Sequence, residues 1–142
     1  MVESKEYRSK MMSKIRSTGG KAETLLAKTL WHEGIRYFRN YPKLIGKPDI
    51  AITKYKIAVF VDGEFWHGYD WENQKEKRLH NNREFWIKKI EKNMERDKYV
   101  NKQLQEQGWI VIRFWEKHEV LHDISTCVSR VKNAIEERKA SL

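Results

Sequence analysis

The chain has 142 residues, which suits one domain with a single modest core. Its 29 Lys and Arg against 20 Asp and Glu leave a net charge of +9, so a polyanion is the favoured class of partner. No apolar run reaches the ~20 residues of a membrane helix, the N-terminal segment lacks the apolar stretch of a secretory signal, and a single cysteine, Cys127, excludes an internal disulfide and a cysteine-built zinc site. A cytoplasmic protein is expected.

Residues 1–20 carry Arg8, Lys10, Lys14 and Arg16 around Met11 and Met12 and end in Gly19-Gly20. They read either as a basic arm, partly helical and hinged at the glycines, or as a disordered tail. Residues 21–142 then form one domain. Within it, 22–33 has a helical apolar stripe of Ala22, Leu25, Leu26, Thr29 and Leu30, with Glu23 at the stripe's edge and Gly34 as the stop. Residues 35–41 alternate like a strand, and Pro42 and Gly46 bracket a loop. Residues 48–53 and 56–62 read as two strands joined by a tight turn at Lys54-Tyr55.

The polar stretch 72–82 reads as a loop, 83–107 as a long helix stopped by Gly108, 109–115 as a strand and 118–139 as a closing helix. On the long helix, Asp97 falls near the middle of the apolar face made by Trp86, Ile90, Met94, Val100 and Leu104, and Asn93 falls within it. A carboxylate there is costly unless paired, so Asp97 is expected in a buried polar network. The order of elements predicts an α/β protein with a central mixed sheet flanked by helices.

Chemistry concentrates around the second strand, VFVDGEFWHG at 59–68. Asp49 on the preceding strand, with carbonyl or carboxylate oxygen from this one, makes a cradle of hard oxygen ligands that suits Mg²⁺. His67 lies just past Asp62 and titrates near neutrality, as a general base requires. Lys47 precedes Pro48-Asp49 and can reach a phosphate. On spacing alone, Asp49 reads more readily as a turn or strand-end residue, His67 as an ordinary loop histidine, and Phe65 and Trp66 as core.

The segments RSKMMSKIRS, KAETLL, GKPDIAI, VFVDGEFWHG, REFWIKKIEKNMERD and QGWIVIRFWE, in this order from about residue 8 to 116, resemble the very short patch repair (Vsr) mismatch endonucleases. The resemblance implies a restriction-endonuclease-like fold and Mg²⁺-dependent nicking of double-stranded DNA 5′ to the thymine of a T:G mismatch left by deamination of 5-methylcytosine. It implies Asp49 as metal carboxylate, Val61 as backbone-carbonyl ligand, His67 as catalytic histidine, Glu23 as an orienting acid and Asp62 as a supporting catalytic group. Phe65, Trp66 and Trp86 match the aromatic wedge, Met12 enters from the other groove, and Arg8, Lys10 and Lys14 hold phosphates. Mismatch-repair proteins are further partners, and the protein is expected to be a monomer.

One departure stands out. At the positions where the family carries a structural zinc site, this chain has Glu64, the run GYDW and Lys117. The zinc is expected to be absent, with Glu64 paired to Lys117 across the same two segments. Two other readings compete with mismatch nicking: the same chemistry used on matched DNA by a restriction, nicking or homing enzyme, and a DNA-binding module without catalysis.

Overall fold

The computed structural model describes residues 20–75 and 83–141. Of the predicted DNA contacts, Arg8, Lys10, Met12 and Lys14 lie outside this range. Helix α1 (Lys21–His32) leads into strand β1 (Phe38–Arg39), then β2 (Ile50–Ile52) and β3 (Ile57–Asp62). Two single-turn helices follow, α2 (Glu64–His67) and α3 (Trp71–Gln74). The long helix α4 (Arg83–Glu106) returns the chain to β4 (Ile110–Trp115), and a π-helical turn (Glu116–Val120) precedes α5 (Ile124–Ala140).

The sheet order is β1-β2-β3-β4, antiparallel in the first two pairs and parallel between β3 and β4. It is the mixed sheet that the sequence predicts. β3 is the central strand. Its run Ile57–Phe60 is buried on both faces, which is why it reads as a continuous apolar stretch rather than an alternating one. One face packs Ile57 and Val59 with Leu26 and Leu30 of α1 and Val131 of α5. The other packs Ala58 and Phe60 with Val100 and Leu104 of α4. By the same alternation Asp62 faces α4.

Three expectations change. The predicted strand 35–41 shortens to two residues, because Asn40 turns to φ 49°; its N–H still reaches the Asp49 carbonyl at 3.0 Å, and that of Tyr41 the Pro48 carbonyl at 3.0 Å. The closing helix is broken at 121–123, where Asp123 caps α5 through the N–H and hydroxyl of Thr126. The buried stripe of α1 is rotated from the predicted one. It runs through Ala22, Glu23, Leu26, Ala27 and Leu30, while Leu25 is exposed. Glu23 tolerates this because Arg39 of β1 donates to its Oε1 at 3.0 Å.

Glu64 is also buried, with 5% of its surface exposed. The predicted pair with Lys117 is corrected here. Glu64 Oε2 accepts the backbone N–H groups of Lys117 and His118, both at 2.8 Å, and sits 2.9 Å from His118 Nδ1. The π-helical turn presents free backbone donors, and a short buried carboxylate satisfies several at once, whereas the Lys117 ammonium plays no part. Burial alone would raise the Glu64 pKa, but the hydrogen bonds from His118 and Lys117 outweigh it and hold it below the usual value. The clamp therefore stabilises the fold above the ordinary carboxylate range and is lost as pH falls through the depressed value. Glu64→Ala is expected to cost about 2–3 kcal/mol, since two backbone amides of the π-helical turn lose a charged acceptor. Lys117→Ala should melt with the parent in the same thermal scan, and a large loss there would restore the side-chain pairing.

Candidate active site

The C-terminal end of β3 opens into a cleft of about 410 Å³ lined by residues from the loop before β2, from β3, α2, α4 and β4. Asp49, just before β2, lies beside Val61, whose N–H donates to Asp49 Oδ2 at 2.7 Å. In a strand the N–H and C=O of one residue leave on the same side, so the Val61 carbonyl also heads toward Asp49. Burial, with the charges of Glu23 and Asp62 nearby, pushes the Asp49 carboxyl up to about 7 despite the Val61 hydrogen bond and the more distant Arg39. Among the described residues no cation bonds to it.

This environment fits a hard dication. A crowded carboxylate whose ionised form is disfavoured, beside a carbonyl oxygen, gains most from a divalent charge. Asp62, His67 and Asp97 also bring three ligand atoms within 4.8 Å of one another. That group already holds a cation. Arg113 Nη1 donates to both Asp62 oxygens at 3.1 Å and lies 3.5 Å from Asp97 Oδ1. The oxygen-only cradle at Asp49 and Val61 is therefore the better seat for Mg²⁺.

His67 ends α2, with Nδ1 2.5 Å from Asp97 Oδ2 and 3.8 Å from Asp62 Oδ1. A carboxylate only accepts, so Nδ1 carries the proton and Nε2 is the acceptor. Burial lowers the imidazole pKa and Arg113 opposes its charge, but the Asp97 hydrogen bond and the two carboxylates outweigh both and raise it above 6.5. Asp97 thus sits in the polar network expected of it. Its role as the partner that orients His67 was not read from the sequence, although a carboxylate on a core-facing stripe was the signal. The Asp62 carboxyl is raised by burial, against the influence of His67 and Arg113.

The aromatic residues lie on the same turn. Phe65 and Trp66 rings are 5.0 Å apart, and Trp86 of α4 lies 5.7 Å from Phe65 and 5.6 Å from Trp66. Trp66 is 40% exposed. Phe85, 61% exposed and 5.3 Å from Trp86, extends the group and was not anticipated. Asn93 donates to the Trp66 carbonyl at 3.1 Å, pinning α2 to α4. Gly68 ends α2 at φ 72°, a left-handed conformation that favours glycine, and a Cβ there would also push against Met94 Sδ. Lys47, at φ 50°, and Arg96 line the cleft. Arg96 and Arg113 are the cations that sequence reasoning missed. A charge inside the apolar strand WIVIRFW was the available signal for Arg113.

A cleft of carboxylates at the end of a central strand, with a His–Asp pair and a flanking aromatic group, is chemically suited to a metal-bound phosphodiester. The family description "DNA mismatch endonuclease Vsr" matches residues 2–73. The type II nicking enzyme V.NmeDIP of Neisseria meningitidis serogroup C is 46% identical over 134 residues, covering 94% of this chain and 89% of the relative. V.HpaIIP of Haemophilus parainfluenzae, also a type II nicking enzyme, is 46% identical over 134 residues and 94% of each chain. The DNA mismatch endonuclease Vsr of Escherichia coli K12 is 36% identical over 115 residues, 81% of this chain and 72% of that one. The class is therefore a DNA endonuclease with a restriction-endonuclease-like α/β fold. Within it, this chain belongs to the Vsr family.

Asp97→Asn keeps the shape of the dyad but leaves His67 able to adopt the wrong tautomer. It is expected to lower the nicking rate about 10²–10⁴-fold, the range of general-base catalysis, with duplex affinity unchanged in a gel-shift assay.

Proposed function

We propose that the protein nicks duplex DNA on the 5′ side of the thymine of a T:G mismatch, with Mg²⁺ as cofactor. The observation that carries the reading is the joining of two functions on one helical turn. Phe65 and Trp66 adjoin His67 directly in α2, so the rings that would part a base step sit beside the base that would activate the attacking water. Wedging apolar rings between bases costs roughly a few kcal/mol of unstacking, and a mispaired step costs less to open than a matched one.

Asp49 and the Val61 carbonyl would hold the metal, which when bound supplies Lewis-acid charge at a phosphate oxygen. His67 Nε2 accepts the proton of the attacking water. Asp97 keeps the proton on Nδ1 and stabilises the imidazolium that forms. Glu23, fixed by Arg39, adds the negative charge that sharpens the demand of Asp49 for a cation. Asp62, 3.8 Å from the same Nδ1 that meets Asp97, supports His67. Lys47 and Arg96 meet phosphates at the cleft mouth, and Phe65, Trp66 and Trp86 form the wedge. Arg8, Lys10 and Lys14 of the arm, residues 1–20, grip the backbone, and Met12 enters the other groove. The single domain 21–142 acts as a monomer in the cytoplasm, alongside mismatch-repair proteins. Among the described residues no helix is long and apolar enough to cross a membrane.

Nicking of matched DNA is the second reading. The relatives at 46% identity favour it, being named for nicking and not for mismatches. A labelled duplex bearing one T:G pair in varied contexts, run beside T:A and C:G controls, separates the two. A nick confined to the thymine strand of the T:G duplex is expected, and equal cutting of the controls would transfer the protein to the second reading. A binding module without catalysis would cut nothing. Asp49→Asn should reduce the rate by ~10²–10⁴-fold and chelation should abolish it, with Mg²⁺ restoring activity.

The pH dependence has a definite sign. The base must be neutral, and the folded state holds the His67 proton more tightly than free imidazole. The rate should therefore fall toward acid with a midpoint above 6.5. A midpoint below that value in His67-dependent activity would contradict the dyad.

A further inference from the structure

Arg113 is the one charged residue lining the cleft that the mechanism above does not use, and it is held by several contacts. The parallel register sets it beside Phe60, on the face of the sheet where Asp62 also lies. Its Nη1 donates to both Asp62 oxygens at 3.1 Å and lies 3.5 Å from Asp97 Oδ1. Its Nε donates to Asn101 Oδ1 at 2.7 Å, and the guanidinium lies 4.0 Å from the centre of the Phe60 ring. Asp97 and Asn101 are one helical turn apart on α4, so a single side chain ties the end of β3 to that face of the helix.

The surroundings give this arrangement a purpose. Asp62, Asp97 and His67 hold two carboxylates and an imidazole within 4.8 Å, a donor set that suits Zn²⁺ or Mn²⁺. A metal there would take up the carboxylates that support the imidazole and leave His67 a ligand. A guanidinium cannot lose its proton and offers no lone pair, so it neutralises the trio without coordinating the ring. Lysine would supply the charge at one point and could not span both carboxylates.

We propose that Arg113 is the positioning residue of this site, a built-in cation that fills the Asp62–Asp97–His67 cluster, closes it to divalent metal and leaves His67 free as base. The inference rests on His67 acting as the base. Its test is chosen so that the two can fail separately.

The first measurement is calorimetric titration with Zn²⁺ alone, without DNA, in an Asp49→Asn background that removes the other metal seat. Arg113→Gln is expected to gain one site at least ~100-fold tighter than the background protein, lost again on adding His67→Ala. The second is steady-state nicking with saturating Mg²⁺ and no Zn²⁺. There Arg113→Gln should lower kcat about 10–100-fold with KM for the duplex within about threefold, the pattern of a defect confined to the transition state. Arg113→Lys should recover part of kcat and gain no Zn²⁺ site. If Arg113→Gln melts below assay temperature, Arg113→Met, which keeps the stem on Phe60, takes its place. No gain of Zn²⁺, or a parental kcat, would overturn the proposal and leave Arg113 a brace between β3 and α4. Should His67→Ala nick at the parental rate, the base assignment falls, while the Zn²⁺ titration still decides whether Arg113 closes the cluster.

Discussion

Four carboxylates, from Glu23, Asp49, Asp62 and Asp97, converge on the C-terminal end of β3, and much of the structure serves to make that convergence tolerable. Each solution is different. Glu23 takes Arg39, Asp62 takes Arg113, and Asp97 takes His67 with Arg113 close by. Among the described residues, Asp49 alone has only the Val61 N–H. Burial, with the charges of Glu23 and Asp62 nearby, raises its carboxyl to about 7. Among the described residues, charge that is paired at the other three carboxylates has no bonded cation at this one.

The same convergence dictates the position of α2. That turn carries His67 toward Asp97 and Phe65 and Trp66 outward, and it lies against α4 through the Asn93–Trp66 hydrogen bond and the close approach at Gly68. Phe65, Trp66 and His67 are therefore parts of one turn. The Glu64 clamp ties the start of that turn to the turn after β4. Because the clamp is a carboxylate on backbone amides, it depends on the path of the chain and not on the identity of residue 117.

Much of the architecture was legible in advance. The apolar run of β3, the helical stripe of α4 and the stops at Gly34 and Gly108 each follow from local sequence, and the mixed sheet follows from their order. The errors have physical causes. β1 was read too long because alternation over 35–41 does not reveal the turn at Asn40. The stripe of α1 was read one residue off because Glu23 counts as polar until Arg39 is known to meet it. The pairing assigned to Lys117 failed because backbone donors have no signature in a sequence.

What the sequence determined by itself is the inventory: the basic balance, the central strand with Asp62 at its end, the Phe65-Trp66-His67 triplet and the family those motifs mark. These are legible because they are contiguous, and local periodicity carries them. What only the tertiary structure decided is the pairing of charges. Arg113 is 51 residues from Asp62, and His67 is 30 from Asp97, so no local pattern links them. Which carboxylate keeps a protein cation and which is left for a metal depends on distances across β3, β4 and α4, and those exist only once the sheet and helix have packed.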